Sequence, residues 1–158
     1  MAANLTLDQI EKDQALPELD IDVSVTNVVL GALATRDWRP MHHDKDFAVE
    51  RNGTRHVFVN TPHNAAYFER YITDWTGPKG RLGRIKFRMK DSVFPDDTMS
   101  FTGKVSDVRT DAAGCGWADI VVALKVGEKI ATTCEASIAL PTDAEDNPWK
   151  RGGADWKP

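Results

Sequence analysis

The sequence predicts an α+β fold in which a curved antiparallel sheet wraps around one central helix. Three observations lead there. Residues 62–76 carry a single apolar stripe at helical spacing. From about residue 80 to residue 140 the apolar period changes to two, the signature of strands with one buried face. A lone helix of about 15 residues is marginal in water, so its stripe needs the concave side of that sheet.

The elements follow in order. Residues 1–20 (MAANLTLDQIEKDQALPELD) are polar, lack a clear period, and read as an N-terminal arm. Residues 21–33 (IDVSVTNVVLGAL) are rich in Val and Ile and read as a strand. Residues 34–44 (ATRDWRPMHHD) break every period and form a loop crowded with functional groups. Asp44 can cap a short helix over 45–51, which Gly53 ends. VFVN (57–60) is short and extended.

Pro62 suits the first position of the central helix, with Asn60 or Thr61 before it as the cap. Ala65, Phe68, Ile72 and Trp75 make its stripe, and Gly77-Pro78 stops it. Four strands come next. Ile85, Phe87 and Met89 face one way on the first; Met99, Phe101, Gly103 and Val105 on the second; Ala118, Ile120, Val122, Leu124 and Val126 on the third; Ile130, Thr132, Cys134, Ala136, Ile138 and Leu140 on the fourth. Parity sets the last hairpin. Opposed residues share a face, so even pairs with even, Val126 faces Ile130 across a loop of Gly127, Glu128 and Lys129, and Cys134 faces Val122. Cys115 then lies far from Cys134 on the other face, which excludes a disulfide between them. Residues 141–158 (PTDAEDNPWKRGGADWKP) read as a flexible tail. The folded domain is residues 21–140, and a sheet wrapped around one helix is the hot-dog arrangement.

Composition narrows the function. The chain has 158 residues and a net charge of −4, and an acidic balance argues against nucleic acid as a partner. No run approaches the roughly 20 apolar residues of a membrane helix. The N-terminus lacks the basic and apolar regions of a signal peptide, so a cytoplasmic protein is expected.

The loop 34–44 holds the candidate chemistry: Asp37, His42, His43 and Asp44. A carboxylate and an imidazole five residues apart, with Pro40 bending the chain between them, suit general acid/base work. The same spacing also fits an Asp–His hydrogen bond that merely fixes the loop. No zinc signature includes His42, His43, Asp44 and His63, and no metal is expected. Lys79, Arg81, Arg84, Lys86, Arg88 and Lys90 fall within twelve residues without an acid among them. Arg84, Lys86 and Arg88 can be read as phosphate contacts or as a solvated sheet face.

The stretch Asp37-Trp38-Arg39-Pro40-Met41-His42-His43-Asp44 resembles the hydratase motif of the MaoC-like family, Asp-x-Asn-Pro-x-His-x-Asp, with Arg39 in place of the Asn. ALATRDWRPMHHD, VFVN, RYITDWTGP and DTMSFTGKV together resemble the small hydratase subunits of steroid side-chain degradation. That resemblance implies an enoyl-CoA hydratase with Asp37 and His42 as its catalytic pair. It implies oxyanion donors at the start of the central helix, the amides of His63 or Asn64. It also implies that coenzyme A belongs to the substrate, with Arg84, Lys86 and Arg88 as candidate contacts to its phosphates, and that no separate cofactor is used. The implied partner is a second MaoC-like hot-dog chain, in a heterotetramer with two copies of each, or otherwise a homodimer. A hot-dog thioesterase and a non-catalytic partner subunit are the alternatives.

Overall fold

The computed structural model describes residues 4–158, and residues 1–3 of the expected arm lie outside them. Five strands form one antiparallel sheet: β1 (Leu19–Asp22), β2 (Arg81–Met89), β3 (Thr98–Thr110), β4 (Gly116–Val126) and β5 (Lys129–Leu140), in the order β1-β3-β4-β5-β2. Three α-helices accompany them: α1 (Val25–Ala34), α2 (Lys45–Glu50) and α3 (Thr61–Thr76).

The period of two does in the molecule what it does on paper. Met99, Phe101, Val105, Ala118, Ile120, Val122, Leu124, Cys134, Ala136, Ile138 and Leu140 are all buried on one face. α3 lies on that face. Phe68 meets Phe101 edge-on at 5.3 Å and stacks near Phe87 at 6.2 Å. Asn60 is the cap of α3, Pro62 is its second residue, and Gly77 ends it with φ of 79°. The buried face is wider than the sequence stripe. Phe68 and Ile72 are fully covered, Ala65 and Trp75 only partly, and Asn64, Tyr67 and Tyr71 also turn inward. Tyrosines packed by their ring bodies escape a pattern that counts aliphatic spacing.

The strand expected over residues 21–33 is the largest error of the sequence reading. Only β1 is extended, and Val25–Ala34 is helical. A capping box starts α1: Ser24 Oγ accepts from the Asn27 amide, while Asn27 Oδ1 accepts from the Ser24 amide. Val28, Gly31 and Ala32 then bury at helical spacing. Tertiary packing overrides the β-branched composition here.

The last hairpin also departs from its parity. Its loop is two residues, with Val126 opposite Lys129. Gly127 alone of the turn pair has positive φ, 57°, as a II′ turn requires. Ala131 is bulged between the pairs Leu124–Thr132 and Lys125–Ile130, and its carbonyl accepts from the amides of Lys90 and Asp91. The bulge restores the even register, so Cys134 does face Val122, but it leaves Ile130 exposed and buries Ala131 instead.

Neither end of the described chain is loose. In the polar arm, Ile10 and Leu16 are buried, and Ala15 bridges to Lys104 beside β3. The tail expected to be mobile lies against the sheet. Trp156 packs on Trp117 at 5.0 Å with the Arg81 guanidinium 3.6 Å above its ring. Arg151 donates to the carbonyls of Ala113 and Gly114. Trp117, Cys115 and Ala139 thus form a second small cluster under Trp156, separate from the main core that holds Cys134. Both cysteines are free. Among the described residues no helix is long and apolar enough to cross a membrane.

Candidate active site

The site begins where α1 ends. Thr35 closes the helix by donating from Oγ1 to the Gly31 carbonyl at 2.8 Å. Arg36 then takes a left-handed φ of 53°, and this reversal lets the Asp37 amide donate back to the Ala32 carbonyl at 2.9 Å. The chain turns again through a short 3-10 turn, Pro40–His42. Pro40 offers no amide, but its carbonyl accepts from the amides of both His43 and Asp44. Asp44 caps α2, with Oδ1 accepting from the Phe47 amide.

This double bend sends His42 inward and leaves His43 exposed. His42 is 2% exposed. Its Nδ1 lies 2.8 Å from the Phe58 carbonyl, and its ring meets Phe58 edge-on at 4.7 Å. A carbonyl can only accept, so Nδ1 carries the proton in the neutral ring and Nε2 presents a lone pair. That Nε2 stands 3.6 Å from Asp37 Oδ2.

Asp37 is surrounded by donors. Arg39 forks onto it, Nε to Oδ1 at 2.8 Å and Nη2 to Oδ2 at 2.7 Å. The Arg39 amide adds a longer bond to Oδ1, and Asn60 Nδ2 donates to Oδ2 at 3.1 Å. The Arg39 guanidinium, with Asn60 behind it, holds the Asp37 carboxyl far below the usual carboxylate range despite its burial. Asp37 is therefore an ionised acceptor, and the free lone pair for a proton belongs to His42.

The sequence reading met Asn60 only as a possible cap. The structure shows a buried three-way junction. Oδ1 accepts from the His63 amide, and Nδ2 donates to Thr35 Oγ1 at 2.8 Å as well as to Asp37. Nothing in one sequence marks this second task, because the partners lie 23 and 25 residues away.

The two amides expected as oxyanion donors both have partners within the chain. The His63 amide is spent on the Asn60 side chain and the Asn64 amide on the Asn60 carbonyl. Pro62 has no N–H, so Thr61 carries the first-turn amide that bonds no other described residue. The His63 ring stacks on Tyr67 at 4.4 Å and presses its Nδ1 against Gly31, and burial pushes its pKa down, so it stays neutral. Asn64 is fully buried, with Nδ2 3.5 Å from Thr132 Oγ1.

Arg84, Lys86 and Arg88 are not brought to this site. They alternate with Ile85 and Phe87 on β2, and since Phe87 faces α3 they are exposed on the opposite face of the sheet. A groove of about 750 Å³ runs along that outer face past Lys86, Arg88, Lys104 and Val121, away from Asp37 and His42. Exposed apolar residues stand near the pair among the exposed Arg36, Arg39 and His43. Of the seven large hydrophobic residues exposed among those described, Val25, Leu30, Leu33, Trp38 and Val49 fall on α1, the loop and α2.

Known proteins carry the same frame. Residues 8–122 match the family described as MaoC like domain. The 3-oxo-4,17-pregnadiene-20-carboxyl-CoA hydratase beta subunit of Mycobacterium tuberculosis (strain ATCC 25618 / H37Rv) is 35% identical over 123 residues, 78% of this chain and 92% of that one. Among solved structures, a chain of the ChsH1-ChsH2 complex from Mycobacterium tuberculosis superposes with a TM-score of 0.76 at 31% identity, over 82% of this chain and 98% of that one. The (R)-hydratase from A. caviae involved in PHA biosynthesis superposes with a TM-score of 0.72 at 23% identity, over 84% of this chain and 98% of that one, a likeness of fold.

Proposed function

This chain belongs to the MaoC-like family, and on that premise we propose that it adds water across the 2,3 double bond of a trans-2-enoyl-CoA. The observation that carries the reading is the buried His42 ring, its Nδ1 turned to the Phe58 carbonyl and its Nε2 turned to Asp37. A water held between Asp37 Oδ2 and His42 Nε2 loses its proton to Nε2 as its oxygen bonds to C3. The electron pair of the double bond moves toward the thioester, whose oxygen becomes enolate-like. The imidazolium, steadied by the ionised Asp37, gives a proton to C2 as the enolate collapses. Acid/base help of this kind is worth roughly 10²–10⁴ in rate. The Thr61 amide at the positive end of α3 is the donor left for the enolate oxygen. Adding water transfers no electrons, so the chemistry asks for no redox cofactor.

The acyl group we assign is of the steroid side-chain type, supported by the relative that is 35% identical. The partner we assign is a second MaoC-like chain in a heteromer, most simply two copies of each. Two observations support it: the likeness to a chain of a two-component complex, and the exposed apolar residues of α1, the loop and α2, which one chain leaves uncovered. A cytoplasmic location agrees with two free thiols.

The test uses the chain co-purified with its partner subunit, offered a crotonyl-type and a steroid-type enoyl-CoA, with loss of enoyl absorbance and release of free thiol both followed. Hydration without thiol release, abolished by Asp37→Ala and by His42→Ala, is the expected result. Thiol release in its place would make the protein a thioesterase. Full hydration by the His42→Ala complex would make the chain a scaffold.

A further inference from the structure

We propose that Asn60 is a positioning residue for hydration, and that it must be an amide because it orients Asp37 by donating to it. The inference rests on the hydratase reading above and deepens it.

The orientation of the Asn60 amide follows from its surroundings. One end meets the His63 N–H, which can only donate, so that end is Oδ1. Nδ2 therefore faces the other way, and its two hydrogens are both used, on Thr35 Oγ1 at 2.8 Å and on Asp37 Oδ2 at 3.1 Å. The Thr35 hydroxyl hydrogen is directed at the Gly31 carbonyl, so its oxygen is free to receive. Every donor in the chain points one way: His63 to Asn60, Asn60 to Thr35 and Asp37, Thr35 to Gly31.

Two groups hold Asp37, and burial ranks them. Arg39 makes the shorter bonds, but its side chain is 60% exposed, where salt and water screen a pair and the long side chain is free to leave. Asn60 is 1% exposed and anchored at three points. It also bonds the carboxylate oxygen that lies nearest His42, 3.6 Å from Nε2. Asn60 fixes where Oδ2 stands independently of Arg39, and a misplacement of about 1 Å in such a constellation can lower the rate about 100-fold.

The test exploits a property of helix caps. Ser and Asp cap as well as Asn does, so Asn60→Ser and Asn60→Asp both keep α3 capped. Ser cannot reach Asp37 as a donor. Asp can donate only when protonated, and ionised it faces the Asp37 carboxylate directly. The other charged or titratable groups against Asp37 are Arg39 and His42, unchanged in both variants. His63, on the same helix, is neutral and rests on Gly31.

In the assembled complex, Asn60→Ser should lower kcat about 100-fold with KM within about twofold, because the lost bond orients a reacting group rather than binding substrate. Asn60→Asp should recover part of that kcat at low pH and lose it as pH rises, its alkaline limb lying more than about one unit below that of the wild type, since two carboxylates this close cannot both ionise freely. A merely structural Asn60 would give two variants with lowered thermal midpoints and wild-type pH profiles, and that result overturns the proposal. So does an Asn60→Ser complex with kcat within about threefold of wild type while Asp37→Ala is inactive. A wild-type complex that hydrates no enoyl-CoA removes the hydratase reading and this inference with it, an outcome separate from either.

Discussion

At Arg39 the chain departs from the Asn of its family motif, and the departure has a measurable electrical effect. The guanidinium is the first cause of the low pKa of Asp37. A carboxyl depressed on folding adds stability that is present above the unfolded value, about 3.9, and disappears as pH falls through the folded value. Arg39→Ala should therefore reduce stability at pH 7 only slightly, by about 0.2–1 kcal/mol given the exposure of the pair. The difference from wild type should vanish in acid, where Asp37 is protonated in both. The acid limb of kcat/KM should rise toward the ordinary carboxylate range. Thermal melts at neutral and acid pH, beside a pH–rate profile, check both statements. The neighbouring histidines separate as sharply. His43 is exposed and outside the Asp37 network, so His43→Ala should keep activity within about threefold, while His42→Ala removes the imidazole that faces Asp37 and should cost about 10²–10⁴ in kcat. The reverse ranking of the two variants would refute the assignment.

Between elements, the contact of α1 with α3 decides how the site is held. A β-carbon on Gly31 would lie 1.9 Å from His63 Nδ1 and 2.3 Å from its Cε1. Helix propensity alone makes Gly→Ala stabilising by up to about 1 kcal/mol. Here overpacking opposes it at about 1–3 kcal/mol, because the ring is already pinned on Tyr67. Gly31→Ala should thus lower the thermal midpoint, and Gly31→Ala with His63→Ala should recover most of the loss. No recovery in the double variant would mean the helices do not meet this way. The same contact shows what a sequence can and cannot disclose. The strand alternation was legible because a period of two is local, as was the Asp44 cap; Pro40 and a dense loop announced the bend, and Asp37 and His42 stood out within it because they fill the positions of the family motif that the loop resembles. α1 was missed although Ser24 and Asn27 spelled its capping box, since Val and Ile composition outvoted a two-residue signal. The role of Asn60, the fit of Gly31 and the bulge at Ala131 were not legible at all. Each depends on a partner brought close only by folding.

For the whole molecule, the two faces of the sheet have different work. The inner face carries α3 and, at its N-terminal end, the pair; the outer face carries Arg84, Lys86 and Arg88. Contacts to the substrate's phosphates would have to come from the far side of the sheet. Replacing all three by alanine should accordingly leave KM within about twofold, whereas a tenfold rise in KM at constant kcat would show uniform binding by this strand.

The two free thiols occupy different layers, Cys115 beneath Trp156 and Cys134 in the main core, at 0% and 3% exposure. Folded proteins open in pieces, with free energies that differ from region to region. The molecule therefore carries two internal clocks. A thiol reagent can reach Cys115 once the final segment lifts from Trp117, a local event. Cys134 belongs to the main core, so its exposure needs the core itself to open, an event close to global unfolding. Labelling in native buffer should be biphasic, with Cys115 modified first. Addition of the partner subunit and an enoyl-CoA should slow the Cys134 phase by mass action while leaving the Cys115 phase nearly unchanged. A single shared rate for both thiols would mean that tail and core open as one unit.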